Sequence, residues 1–208
     1  MKKFLLVDDH IVVRSGIHGL LTELFTPCEV HEAGDGESAT EKLKQNNYDL
    51  IIMDIQMPNS DTLGLMEYIK IRYPDAKVLI FSMSAENIYA KRFFNAGAKG
   101  FLSKDSSLEE IKKAVNLVLN NRKYISETFA ESLADASFSG MPDNPFEKLS
   151  PREFEIVALL LKGQTVSDIS KTLHLQISTV GTHKSRVFEK LGVANILELK
   201  ELANSYKL

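Results

Sequence analysis

Asp49-Leu50-Ile51-Ile52-Met53-Asp54-Ile55-Gln56-Met57-Pro58 is the stretch whose reading decides the fold. Leu50 to Met53 run apolar without alternation and stop at a carboxylate, which suits a strand covered on both faces, as in a parallel sheet. Pro58 blocks a simple continuation, so Asp54 is expected at the strand's C-terminal end, in a loop. Two other apolar runs end alike: Phe4 to Val7 stops at Asp8-Asp9, and Val78 to Phe81 stops at Ser82. In an open parallel α/β sheet the strand C-termini lie along one edge, where ligands bind. The pattern therefore predicts three carboxylates and a hydroxyl in one crevice.

Such a crevice cannot be electrostatically neutral. Two unit charges ~4 Å apart repel by about 4 kcal/mol at an effective dielectric of 20. The acids must protonate, separate or bind a cation. With no His or Cys expected beside them, an all-oxygen site favours a hard divalent ion, Mg²⁺ above all. His10, His18, His31 and His174 show no ligand spacing and read as surface or core residues. Lys104 follows a further apolar run, Gly100 to Ser103, and is expected on the same edge. Acids, metal, hydroxyl and ammonium together would stabilise a phosphoryl group on one carboxylate.

Strand and helix patterns alternate five times through the first 120 or so residues. Val13, Ile17, Leu20, Leu21 and Leu24 recur at helical spacing; Cys28 to Ala33 alternates as a strand; Gly97 is a candidate C-cap; and Ser107 with Glu110 reads as a capping box. Five βα units with right-handed crossovers predict a doubly wound parallel sheet. The flavodoxin-like order 2-1-3-4-5, the arrangement already known for such doubly wound sheets, fits that pattern. At these residues the chain resembles the receiver domain of bacterial two-component response regulators. The resemblance rests on Val7-Asp8-Asp9, Met53 to Pro58, Ser82, and Lys104 after Ala96-Gly97-Ala98-Lys99-Gly100-Phe101-Leu102. It implies Asp54 as phosphoacceptor, and Asp8, Asp9, Asp54 and the Gln56 carbonyl as Mg²⁺ ligands. It also implies Ser82 and Lys104 on the phosphoryl oxygens, and Phe101 as an aromatic whose rotamer follows Ser82.

The chain of 208 residues carries a net charge of −3 and 44% hydrophobic residues, ample for a core. No apolar run approaches the ~20 residues of a membrane span. The chain enters a strand at once, leaving no room for a signal peptide. Cys28 is the only cysteine, so no intrachain disulfide forms, in keeping with a cytoplasmic location. Residues 146–208 hold 9 Lys and Arg against 7 Asp and Glu, a mild +2 that permits nucleic-acid binding without arguing for it.

Residues 136–145 are rich in Gly, Pro, Ser and Asn. The expected organisation is a receiver over 1–122, a linker over 123–146 with room for a short helix from Glu127 to Asp135, and a helical domain over 147–208. Ser150-Pro151-Arg152-Glu153 is a helix start with N-cap, first-turn Pro and capping box. Thr165 is expected to cap a second short helix and Ser178 a third. On that third helix Val180, His183, Val187 and Leu191 form one stripe. Ser178, Thr182, Ser185, Arg186 and Glu189 lie opposite. A fourth helix from Asn195 turns Leu199, Leu202, Ala203 and Tyr206 inward and leaves Leu197 out. Two short helices and a tight turn make a helix-turn-helix, whose second helix reads the major groove.

Here the chain resembles the four-helix LuxR-type DNA-binding domain of quorum-sensing and nitrate-response regulators. The matching residues are Leu149 to Glu153, Gly163 to Leu175, and Thr179-Val180-Gly181-Thr182-His183 through Val193. The resemblance implies promoter DNA contacted by Ser178, Gly181, Thr182, Lys184, Ser185 and Arg186. Gly181 stands where this family usually has a Lys, Met83 where receivers prefer a smaller residue, and Thr62 where a loop Gly is usual.

The two resemblances together imply a phosphorylation-controlled, DNA-binding transcription regulator. A sensor histidine kinase would phosphorylate it, it would dimerise when phosphorylated, and it would not be an enzyme. A phosphoacceptor whose C-terminal helices bind protein is one alternative. A phosphatase-like enzyme passing through an aspartyl phosphate is another, though no substrate-binding insert is seen.

Overall fold

A computed structural model describes residues 1–57, 60–84, 86–139, 144–206 and 208. Pro58, and positions 140–143 of the expected linker, lie outside the described residues. The strands are β1 (Lys2–Val7), β2 (Cys28–Ala33), β3 (Leu50–Met53), β4 (Val78–Ser82) and β5 (Gly100–Ser103). All pair in parallel, in the order β2-β1-β3-β4-β5. Between and after them run α1 (Ile11–Leu24), α2 (Gly36–Gln45), α3 (Thr62–Arg72), α4 (Glu86–Ala96) and α5 (Leu108–Leu119).

The unbroken apolar runs are explained by two cores. Leu5, Val7, Ile51, Met53, Ile80 and Phe101 face one side, where Ala39, Leu43, Leu63, Met66, Ala90 and Phe93 of α2, α3 and α4 cover them. Phe4, Leu6, Leu50, Ile52, Leu79, Phe81 and Leu102 face the other, beneath Ile17, Leu20 and Leu21 of α1 and Val115 and Val118 of α5. Alternate residues of one strand point to opposite faces, so the runs Phe4–Val7, Leu50–Met53 and Val78–Phe81, covered on both sides, are apolar at every position.

The chain divides into two compact units, Met1–Asp135 and Ala136–Leu208. The linker expected from 123 therefore starts too early. Tyr124 donates its N–H to the Lys99 carbonyl at 2.9 Å, bridges to Gly100 and buries its ring in the second core. Phe129 of α6 (Glu127–Ser139) is buried in the first core. Two large aromatics make this segment part of the first unit's core. The expected capping box of α5 is half made. Ser107 accepts from the Glu110 N–H at 3.2 Å, but the Glu110 carboxylate accepts the Tyr124 hydroxyl at 2.6 Å and pairs with Lys113 at 3.4 Å.

The second unit contains a 3₁₀ turn (Pro145–Lys148), α7 (Pro151–Leu161), α8 (Val166–Thr172), α9 (Ile177–Leu191) and α10 (Ile196–Ser205). Ser150 and Glu153 form the expected capping box, and Thr165 with Asp168 forms a second. Glu153 is buried and also takes Lys190 Nζ at 2.7 Å, tying α7 to α9. The expected cap at Ser178 is corrected: α9 begins earlier, with Gln176 in the cap position, and Ser178 sits in its first turn. His174 adopts φ +51°, a left-handed turn residue that reverses the chain between α8 and α9. Val180, Val187, Leu199 and Ala203 are buried with Phe154, Val157, Leu160 and Ile169, while Leu197 is exposed. Among the described residues no helix is long and apolar enough to cross a membrane.

Candidate functional site

Strand register assembles the site. Val7 is paired with Met53 and the Asp54 N–H donates to the Val7 carbonyl at 2.8 Å, so Asp8 and Asp54 emerge side by side. Ser82 is paired with Ser103, and the Lys104 N–H donates to the Ser82 carbonyl at 3.1 Å, which brings the lysine to the same edge.

Asp54 is only 3% exposed. Its Oδ1 accepts from Ser82 Oγ at 2.6 Å and from the Gln56 N–H at 3.0 Å, and its Oδ2 accepts from Lys104 Nζ at 2.7 Å. The same ammonium lies 2.7 Å from Asp8 Oδ2, bridging two acids. Burial pushes the Asp54 carboxyl up, but the hydrogen bonds from Lys104, Ser82 and Gln56 outweigh it and hold the group below the usual carboxylate range. Burial likewise pushes Lys104 down, and its bonds to Asp54 and Asp8 more than reverse this. The arrangement keeps the carboxylate ionised and the lysine charged.

Asp8, Asp9, His10 and Asp54 each offer a ligand atom, all within 4.8 Å of one another. The expectation that no histidine lies near the acids is thus corrected. The His10 N–H closes a turn onto Asp8 Oδ1 at 2.8 Å, and its Nδ1 lies 3.2 Å from that oxygen and 3.0 Å from Asp9 Oδ1. Despite that proximity, Asp9 Oδ1 is buried and receives no hydrogen bond of acceptable geometry among the described residues. Three converging carboxylates with one bridging ammonium among them fit a hard divalent cation.

The remaining expected residues fall as follows. Phe101 is fully buried in the core that also holds Ala90, Phe93 and Phe129. Met83 turns out to solvent, 58% exposed. Thr62 opens α3 with its hydroxyl donating to the Ile55 carbonyl at 3.3 Å. On α9, Ser178, Thr182, Ser185, Arg186 and Glu189 are exposed, and Gly181 and Lys184 are half-buried. Thr182 Oγ1 donates to the Ser178 carbonyl and Ser185 Oγ to the Gly181 carbonyl, at 3.0 and 3.1 Å. Both hydroxyls are therefore committed as donors and retain lone pairs to accept from a base or water. The Lys184 ammonium sits 5.3 Å from the Phe188 ring centroid. Sequence reasoning missed His10, whose position depends on a local turn.

Residues 4–116 match the family described as "Response regulator receiver domain", and residues 147–203 match "Bacterial regulatory proteins, luxR family". The chain is similar to Response regulator GacA of Pseudomonas syringae pv. syringae, 36% identical over 204 residues that cover 98% of this chain and 95% of that protein. Response regulator UvrY of Escherichia coli is 34% identical, with 98% of this chain and 94% of that protein covered. Among solved structures, RcsB from Salmonella enterica serovar Typhimurium, bound to promoter rprA in the presence of the phosphomimetic BeF3⁻, superposes with a TM-score of 0.75. It is 25% identical, and 97% of each chain is covered.

Proposed function

The chain belongs to the response regulators that join a receiver domain to a LuxR-type DNA-binding domain, and on that premise we propose that phosphoryl transfer onto Asp54 controls it. It is a DNA-binding regulator of transcription and not an enzyme, which displaces the protein-binding and phosphatase-like alternatives. The observation that supports Asp54 is its setting: one buried carboxylate held ionised by a lysine, a serine hydroxyl and a backbone N–H.

In this reading a sensor histidine kinase presents a phosphohistidine. An Asp54 oxygen attacks phosphorus, the P–O bond forms as the P–N bond breaks, and the departing imidazole takes up a proton. Asp8, Asp9, Asp54 and the Gln56 carbonyl would hold Mg²⁺, which would supply charge neutralisation for the phosphoryl oxygens. Lys104 and Ser82, now bonded to the Asp54 oxygens, turn to the phosphoryl oxygens that replace them. Ser82 moves toward the phosphoryl group, and Phe101 follows it inward. The regulator acts on promoter DNA, hence in the cytoplasm, with Ser178, Gly181, Thr182, Lys184, Ser185 and Arg186 toward the duplex. Phosphorylation favours a homodimer, because one such module buries only about 600–1,000 Å² on DNA and two-fold symmetric half-sites need two.

The test is phosphate incorporation into the full chain from acetyl phosphate with Mg²⁺. Asp54→Asn preserves shape and removes the nucleophile, and incorporation should vanish. Labelling at the wild-type level in that variant would sink the assignment.

A further inference from the structure

One buried cation beside the acidic cluster has no part in the scheme above. The Arg14 side chain, on the first turn of α1, is 13% exposed. Its Nη1 donates to the backbone carbonyl of Asp8 at 2.6 Å, and its Nε donates to Glu32 Oε2 at 3.0 Å. Glu32 lies near the end of β2, and its other oxygen meets His18 Nδ1 at 2.8 Å. The guanidinium also lines a small cavity beneath the acids, with Asp8, Asp54, Val13, Ile17 and Phe81.

The geometry singles out one peptide unit. The N–H of Asp8 is anchored on the Ala33 carbonyl at 3.1 Å, and its carbonyl is anchored on Arg14. A trans peptide is planar, so fixing that carbonyl fixes the plane that joins Asp8 to Asp9. The directions of two adjacent carboxylates depend on that plane. A solvated helix-surface arginine would not be nearly buried, nor hold a backbone carbonyl and an acid from one fork. The fork is what a guanidinium offers and an ammonium does not.

We propose that Arg14, aimed by Glu32, is a positioning residue that locks the Asp8–Asp9 peptide so that both carboxylates converge on a divalent cation. The proposal rests on reading Asp8, Asp9 and Asp54 as a cation site. Groups that orient metal ligands from behind commonly govern affinity by 10–100-fold when removed. Arg14 touches neither the cation nor the phosphoryl group, so it acts through Asp8.

Calorimetric titration of Mg²⁺ into the unphosphorylated full chain reads this without phosphoryl transfer. Wild type should bind, and Asp9→Asn should lose affinity; equal binding by both would overturn the cation-site reading and this proposal with it. Given that loss, Arg14→Gln should weaken Mg²⁺ binding by roughly tenfold or more. Arg14→Lys should fail to restore it, because its shorter side chain carries one nitrogen in place of the separate Nε and Nη1 donors that hold Glu32 and the Asp8 carbonyl. Wild-type affinity in either Arg14 variant would overturn the positioning role while leaving the cation site standing. In the Lys case it would show that charge alone suffices. If Arg14→Gln does not fold, Arg14→Lys decides by the same two outcomes.

Discussion

The carboxylate of Glu86, the first residue of α4, accepts both the N–H of Ser126 at 3.2 Å and its hydroxyl at 2.5 Å. Ser126 Oγ in turn accepts the Phe129 N–H at 3.1 Å, capping the start of α6. Glu86 lies only a few residues beyond Ser82 and Ser84, whose hydroxyls meet at 3.3 Å. The loop that touches Asp54 thus leads directly into a helix tied to α6.

Burial raises the Glu86 carboxyl above its ordinary range, with the Ser126 bonds only partly offsetting this. A group whose folded value exceeds its unfolded one contributes stability at low pH and loses it as pH rises through the folded value. Glu86→Gln removes that titration. Its urea midpoint relative to wild type should shift in the variant's favour as pH rises from the ordinary glutamate value of ~4.3 through the raised one. A gap that stays constant across that window would refute the assignment of a raised value to Glu86.

Among the described residues Lys104 is the ammonium that bridges Asp8 and Asp54, and all three side chains are at most 8% exposed. Removing one partner of a buried ion pair costs about 3–5 kcal/mol. Lys104→Met should therefore be strongly destabilised in chelator, with Mg²⁺ raising its thermal midpoint more than that of wild type, since the cation then screens two bare acids. Phosphate-dependent DNA binding should also be lost. Equal Mg²⁺ shifts in the two proteins would argue against a shared site.

Gly100 packs too closely for a side chain: an added Cβ would meet Leu79 Cδ1 at 2.7 Å and Tyr124 Cβ at 3.2 Å. Gly100→Ala should cost about 1–3 kcal/mol of unfolding free energy by overpacking. Chemical denaturation of the full chain checks it, and a neutral result would mean that the Tyr124 strap yields without cost.

On α9, a Cβ at Gly181 would meet nothing within 4 Å, so the position can accept a side chain. Gly181→Lys should stabilise the helix by roughly 0.5–1 kcal/mol and steepen the salt dependence of DNA binding by about 0.9 in slope. Arg186→Ala should make it shallower by a similar amount without changing sequence preference. Thr182 and Ser185 substitutions should change which base is preferred. Binding isotherms at several salt concentrations, on specific and scrambled duplexes, separate the two behaviours.

Sedimentation of the full chain with and without beryllofluoride, beside binding to one and two half-sites, tests the dimer. The mimic should promote association and tighten binding to paired half-sites more than to one. Equal tightening on a single half-site by a protein that stays monomeric would exclude it.

The ends of β1, β3 and β4 are legible in the sequence because an apolar run buried on both faces must stop where the chain meets the sheet edge, and a carboxylate or hydroxyl marks that point. Asp8, Asp54, Ser82 and Lys104 accordingly come together as expected, and their hydrogen bonds are the structure's addition. His10 is not legible, since its ring reaches the acids only through a turn closed by its own N–H. Tyr124 and Phe129 fall in the expected linker because the segment lacks strand periodicity and a lone aromatic pair carries no direction. Their burial depends on a groove made by residues distant in sequence. Ser178 suits a cap by residue type alone, whereas His174 turns the chain early enough for α9 to start before it.

The burial of Phe129 also orders events during synthesis. Each unit's core is drawn from one uninterrupted span of chain, and the last large aromatic of the first core stands at 129, ahead of every helix from α7 onward. Domains fold as units, N-terminal first, while a ribosome adds about 5–20 residues per second. The receiver half can therefore close before the DNA-binding half has been completed. A chain ending near residue 122 would lack Tyr124 and Phe129, leaving both sides of its sheet incompletely covered.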